Sequence, residues 1–147
     1  MPEISTFESR TGNLNCTPGE MFDFVTDIRN FRQFVPAGTI EDLNVEAESC
    51  SFRVSPIGDV RFSLAQKEPD RKVVYEGNVL HSNDFSLVLD IRENISGKAV
   101  VNLRLAAHLN PLLKMMAAKP IDSFLEKMID EMEKFSGWQS AKNKNLH

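Results

Sequence analysis

The chain predicts an α+β fold in the order β-αα-β6-α, one antiparallel sheet covered by a long C-terminal helix. Apolar residues alternate with polar ones through six runs between residues 43 and 107. Two short helical patterns stand between an opening strand and those runs, and an amphipathic stretch from about Asn110 to Phe135 follows them. Successive side chains of a strand point to opposite faces, so this sheet has one apolar side and one wet side. A helix laid over the apolar side must either finish the core or close a cavity.

Residues 4–16 read as a strand of broken alternation, with a bulge at Gly12 and Asn13. Thr17-Pro18-Gly19-Glu20 has the pattern of a capping box, in which the Thr17 hydroxyl accepts from the Glu20 amide and the Glu20 carboxylate accepts from the Thr17 amide. Pro18 takes the first helical position, where its missing N–H costs nothing. Met21, Phe24, Val25 and Ile28 then follow the spacing of one buried face. Asn30 reads as a second cap, with Phe31, Phe34 and Val35 on a short helix that Pro36 and Gly38 end.

The inward sets of the six strands are Leu43, Val45, Ala47; Cys50, Phe52, Val54; Val60, Phe62, Leu64; Val73, Tyr75, Gly77, Val79; Phe85, Leu87, Leu89, Ile91; and Val101, Leu103, Leu105, Ala107. Pro56-Ile57-Gly58, Glu68 to Arg71, His81 to Asp84 and Asn94 to Gly97 supply the turns between them. Arg53, Arg61, Glu76, Asp90, Arg92 and Arg104 belong to the wet face. Asn110-Pro111 repeats the cap-plus-proline start. Pro120 falls inside the helical pattern and is expected to kink or split it. Ile121, Phe124, Leu125, Met128, Ile129, Met132 and Phe135 run along one face, and Gly137 is a stop signal.

Length fits one domain, residues 1–138, followed by a polar tail at 139–147. The net charge of -4 opposes a nucleic-acid role, which needs clustered positive charge. No apolar stretch reaches about 18 residues, so no membrane span is expected. Met1-Pro2-Glu3 has neither the basic nor the apolar region of a secretory signal. Cys16 and Cys50 lack any CxxC spacing and read as free thiols of a reducing compartment, which makes a cytoplasmic location the expectation. His81, His108 and His147 have no metal-ligand spacing, no serine sits in a GxSxG context and no glycine-rich phosphate loop is present. No cofactor or metal is therefore expected.

With these elements placed, the chain resembles the START-like superfamily, also called the helix-grip or SRPBCC group, which includes proteins labelled polyketide cyclase/dehydrase. The resemblance runs from about Ile4 to Phe135. It is carried by Thr17-Pro18-x-Glu20, by Asp27-Ile28-Arg29-Asn30-Phe31 leading to Val35-Pro36, by the meander with Ser49 to Val54 followed by Gly58, and by Asn110-Pro111 before the closing helix. It implies a curved sheet gripping a helix, and a cavity that takes apolar or amphipathic small molecules. These patterns describe architecture, so no catalytic residue is carried over.

The candidate lining of such a cavity is Phe52, Phe62, Leu64, Tyr75, Phe85, Leu87, Leu103 and Leu105 on the sheet, with Met116, Phe124 and Met128 on the helix. The same residues would fill an ordinary core. Tyr75 is the one polar anchor candidate, unless its hydroxyl meets a backbone carbonyl. Gln66 and Glu93 lie near strand ends, Asn83 reads as a turn residue, and the register of His108 aims it outward. The leading expectation is binding, transport or sequestration of a small hydrophobic molecule, with the segment Met115 to Pro120 as a gate. A cyclase, dehydratase or hydrolase acting in the same cavity would need an inward ionisable group such as Glu76 or His108. A protein-interaction module would have a filled interior and an exposed apolar patch. Trp138 is expected to pack; an exposed indole would instead mark a partner or weak homodimer surface.

Overall fold

A computed structural model of the chain describes residues 3–34, 40–46, 48–54, 58–79 and 83–138. The expectations for Val35, Pro36, Gly38, Ala47, Pro56-Ile57, His81, Ser82 and the tail lie outside those residues. The alternating runs form eight strands: β1 Glu3–Glu8, β2 Gly12–Asn13, β3 Glu41–Val45, β4 Ser49–Val54, β5 Gly58–Glu68, β6 Lys72–Val79, β7 Asn83–Glu93 and β8 Ala99–Leu109. Every pairing is antiparallel, in the order β1-β8-β7-β6-β5-β4-β3, with β2 also on β8. The helices are α1 Pro18–Val25, a 3-10 helix Ile28–Phe34 and α2 Pro111–Lys134. Among the described residues no helix is long and apolar enough to cross a membrane.

Two of the three predicted caps are made, at Thr17 and Asn110. Thr17 and Glu20 exchange the two hydrogen bonds of a capping box, and the Asn110 side chain accepts from the Leu113 amide at 2.8 Å. The register sends Phe85, Leu87, Leu89 and Ile91 of β7 inward opposite Ala107, Leu105, Leu103 and Val101 of β8. Arg53, Arg61, Glu76, Arg92 and Arg104 stand exposed on the other face, and Asp90 is half-buried there.

Four local expectations are corrected. The opening segment breaks at Ser9 rather than Gly12: the Ser9 hydroxyl accepts from the Leu103 amide, and the chain resumes pairing with β8 at β2. Asn30 is no cap; its side-chain amide donates to the Phe24 carbonyl, while Asp27 accepts from the Arg29 amide at the start of the 3-10 helix. Leu43 is 39% exposed because the register of β3 slips between Glu41 and Asn44, with Asp42 in the left-handed region at φ 55°. Asn83 opens β7 instead of ending a turn.

Two glycines mark close approaches. At Gly12 a Cβ would lie 2.9 Å from a methyl carbon of Ile129, so α2 rests on the bare backbone of β2. At Gly77, paired with Phe62 and Phe85, a Cβ would lie 1.9 Å from the Arg61 carbonyl oxygen and 2.7 Å from Phe62 Cα. Backbone cannot swing aside as a side chain can, so Gly77→Ala is expected to destabilise by about 3 kcal/mol. Gly19→Ala, whose nearest neighbour is an Asp70 carboxylate oxygen at 3.6 Å, is expected to be neutral or to stabilise by up to about 1 kcal/mol. Urea denaturation of both variants checks the contrast.

Candidate functional site

The inner face and α2 leave a cavity of about 90 Å³ between them. Its sheet side is made by Phe52 and Val54 of β4, Val60 and Phe62 of β5, Val79 of β6, Phe85 and Leu87 of β7, and Leu105, Ala107 and Leu109 of β8. Ala117, Pro120, Ile121, Phe124, Leu125 and Met128 of α2 close it. On α2 these residues recur three, four or seven positions apart, the spacing of one helical face. Phe124 stacks on Phe52 at 6.2 Å between centroids, and Phe52 meets Phe62 edge-on at 6.1 Å, so aromatic faces bridge helix and sheet across the hollow.

Of the predicted lining, the structure brings together Phe52, Phe62, Phe85, Leu87, Leu105, Phe124 and Met128. Four others sit elsewhere. Leu64 is half-buried where the register of β5 shifts between Leu64 and Gln66. Leu103 is fully buried deeper along β8. Met116 is 43% exposed. Tyr75 donates its hydroxyl to the Val25 carbonyl at 2.5 Å, and burial holds its phenol above the ordinary range. Beside Tyr75 the residual space is about 10 Å³, room for one water at most. Val54, Val60, Val79, Ala107 and Ala117 also border the hollow, although side chains this small carry little signal of a lining. Their register alone would have found them, since each continues the inward set of its element.

Along α2 the two ends of the interior differ. Past Met128, Phe24, Phe34, Phe135 and Trp138 form a ring cluster with centroids 5.0–5.8 Å apart. Trp138 is 2% exposed, packed on α1 and the 3-10 helix. Among the described residues its indole N–H has no hydrogen-bond partner. The same half of α2 is clasped from outside. Arg10 pairs with Glu126, Asp130 and Glu133, and Glu126 and Glu133 also accept from the Arg10 and Asn13 amides at 2.9 Å.

The described lining contains no ionisable or hydrogen-bonding side chain. Glu76 and His108 are exposed, as are Gln66 and Glu93. Among the described residues no group of His, Cys, Asp and Glu could hold a metal ion. Cys16 and Cys50 are buried and free, and burial pushes their thiols up to about 12 and about 11. A larger concavity of about 490 Å³ lies against the wet side of the sheet, where Glu8, Arg71, Asp90, Arg92, Asn102 and Arg104 make it polar.

Comparison with solved structures assigns the class. The chain has the helix-grip fold. A norcoclaurine synthase point mutant from Thalictrum flavum, solved with a transition-state analogue, is similar over 99% of this chain and 98% of that one, at 7% identity and a TM-score of 0.72. The same plant enzyme, in complex with dopamine and hydroxybenzaldehyde, is similar over 90% of this chain and 86% of that one, at 9% identity and a TM-score of 0.69. The protein XoxI from Bacillus cereus is similar over 98% of this chain and 99% of that one, at 10% identity and a TM-score of 0.65. No protein-family model matches the chain, and no curated protein sequence does. At these identities the likeness defines the fold alone.

The clasp yields a pH-dependent expectation. A hydrogen bond from Arg10, then one from the Asn13 amide, holds the Glu133 carboxyl below the ordinary glutamate range. A carboxyl lowered in the folded state stabilises fully above its unfolded pKa, and that stabilisation is lost as pH falls through the lowered value. Arg10→Ala should therefore cost about 1 kcal/mol at neutral pH, these side chains being partly exposed. The gap to the parent should narrow as the pH is taken from neutral into the acid range, through the ordinary glutamate value and below it. Denaturation curves at neutral and acid pH check this, and added salt should narrow the neutral gap.

Proposed function

We propose that this chain binds a small apolar molecule in the cavity between sheet and α2, for transport or sequestration. The observation that supports the reading most directly is a hollow of about 90 Å³ whose described walls are all hydrocarbon, aromatic or thioether. Core packing normally leaves few voids larger than a water molecule. An apolar void stays dry, and one of about 150 Å³ binds benzene. A plant synthase of the same fold was solved in complex with dopamine and hydroxybenzaldehyde, and that likeness supports the reading. The two free, buried thiols support a reducing, cytoplasmic setting.

Enclosure supplies the affinity. Burying about 200 Å² of apolar surface is worth about 5 kcal/mol before the costs of association, which limits binding to weak or moderate strength. Walls without polar groups select by shape and size rather than by functional group. The hollow as it stands suits a short alkyl segment or a small ring, and a larger guest requires α2 to give way. The half of α2 before Pro120 is the half that can. α2 runs unbroken through Pro120 instead of splitting, but the missing N–H leaves the Met116 carbonyl without its helical donor. The Arg10 clasp reaches only Glu126, Asp130 and Glu133, beyond that point.

Amide hydrogen exchange should therefore be faster over residues 112–119 than over 121–134; equal protection in the two halves would remove the gate. For the cavity itself, methyl resonances of Leu87, Leu105 and Met128 should shift on titration with benzene or a short alkane. Ala117→Leu, which grows a branched side chain into the hollow, should weaken that binding by about tenfold or more without loss of stability. Tyr75→Phe should cost about 1–2 kcal/mol of stability by stranding the Val25 carbonyl, yet leave probe affinity unchanged. Methyl signals that ignore both probes, together with no co-purifying small molecule in native mass spectrometry of protein from its own host, would make the void a packing defect.

A further inference from the structure

Four of the described residues that border the hollow are phenylalanines, and each comes from a different element. Phe52 belongs to β4, Phe62 to β5, Phe85 to β7 and Phe124 to α2. Phe62 and Phe85 pair with Gly77 from either side, so no side chain stands between their rows on the sheet. The rings of Phe52 and Phe62 cross at 76°, and those of Phe52 and Phe124 lie within 21° of parallel. Such a wall mixes ring faces, which are negative, with ring edges, which are positive. The spacing is looser than at the other end of the interior. Around Trp138 the ring centroids are 5.0–5.8 Å apart. Here they are 6.1 and 6.2 Å apart, and the rings border open volume.

Two aromatic rings gain more than their buried area when an edge meets a face or two faces stack with an offset. A saturated ring of the same carbon count has no such quadrupole and gains from area alone. Recognition by hydrogen bonds is closed to this site. Its described lining offers no hydrogen-bonding side chain, and the Tyr75 hydroxyl is given to the Val25 carbonyl. A charge or hydroxyl pressed against these walls would lose its water and find no partner. We infer that the guest of the hollow is an uncharged aromatic ring, held among Phe52, Phe62, Phe85 and Phe124, with any polar substituent directed away from the walls. The inference rests on the cavity reading and narrows it, since that reading admits alkyl segments and rings alike.

The test titrates the intact chain with benzene and with cyclohexane, followed by the methyl resonances of Leu87 and Met128. The two probes differ in water solubility, so the quantity read is the ratio of their affinities in each variant against the parent, where that difference cancels. Phe52→Leu and Phe124→Leu each replace a ring by an aliphatic side chain, and each should lower the benzene-to-cyclohexane ratio about threefold or more. Leu105→Val frees a similar amount of room without touching a ring, and its ratio should match that of the parent. Urea denaturation shows which variants are folded, and Phe85→Leu serves in place of one that is not. A ratio that the ring variants leave unchanged, or that Leu105→Val lowers as far, would overturn the inference while the cavity stands, because both probes would still bind. Methyl signals unmoved by either probe would remove the cavity and this inference with it.

Discussion

One sheet with a single apolar face imposes a problem of area. The inner surfaces of β4 to β8, together with β1, are wider than one helix can cover, and every inward residue needs a neighbour or water. The chain meets this unevenly. α1 and the 3-10 helix, both placed before the meander begins, fold over one end and bring Phe24 and Phe34 to meet Phe135 and Trp138. Tyr75 ties that end down through the Val25 carbonyl. At the other end only α2 spans the gap, and the hollow is what remains.

The helix that covers both ends is divided in its attachments while unbroken in its backbone. After Pro120 it is held by buried Leu125, Met128, Ile129 and Met132, by the bare backbone of Gly12, and by Arg10 outside. Before Pro120 it is held by Leu113 and Ala117. A binding function built on this arrangement uses the rigid end as foundation and the lighter end as wall. The charge pattern along α2 follows the same division, acidic where it meets Arg10 and basic where it does not.

Much of the fold was legible because it rests on period and capping, which are local. Strand alternation placed β4 to β8 and their inward sets, and Thr17, Glu20, Asn110 and Pro111 marked the helix starts that the structure uses. The misses arise where tertiary contact overrides pattern. Leu43 alternates correctly, but a register slip at an edge strand turns it out. Asn30 is a good cap by composition, yet the Phe24 carbonyl claims its amide. The candidate site was legible as a face and not as a volume. Sequence shows that Leu103 and Leu105 point the same way; it does not show that one is sealed under the helix while the other borders a hollow. Met116 failed for the opposite reason, since a methionine in a helix has the same identity whether it faces a core or water.

The buried indole gives the molecule an optical asymmetry. Trp138 is the sole tryptophan, and none of its aromatic neighbours Phe24, Phe34 and Phe135 borders the hollow. Its emission is therefore a gauge of one pole of the molecule. Loosening of the helical pair would expose the indole and shift the spectrum to the red, while a guest arriving at the far pole would leave the colour unchanged.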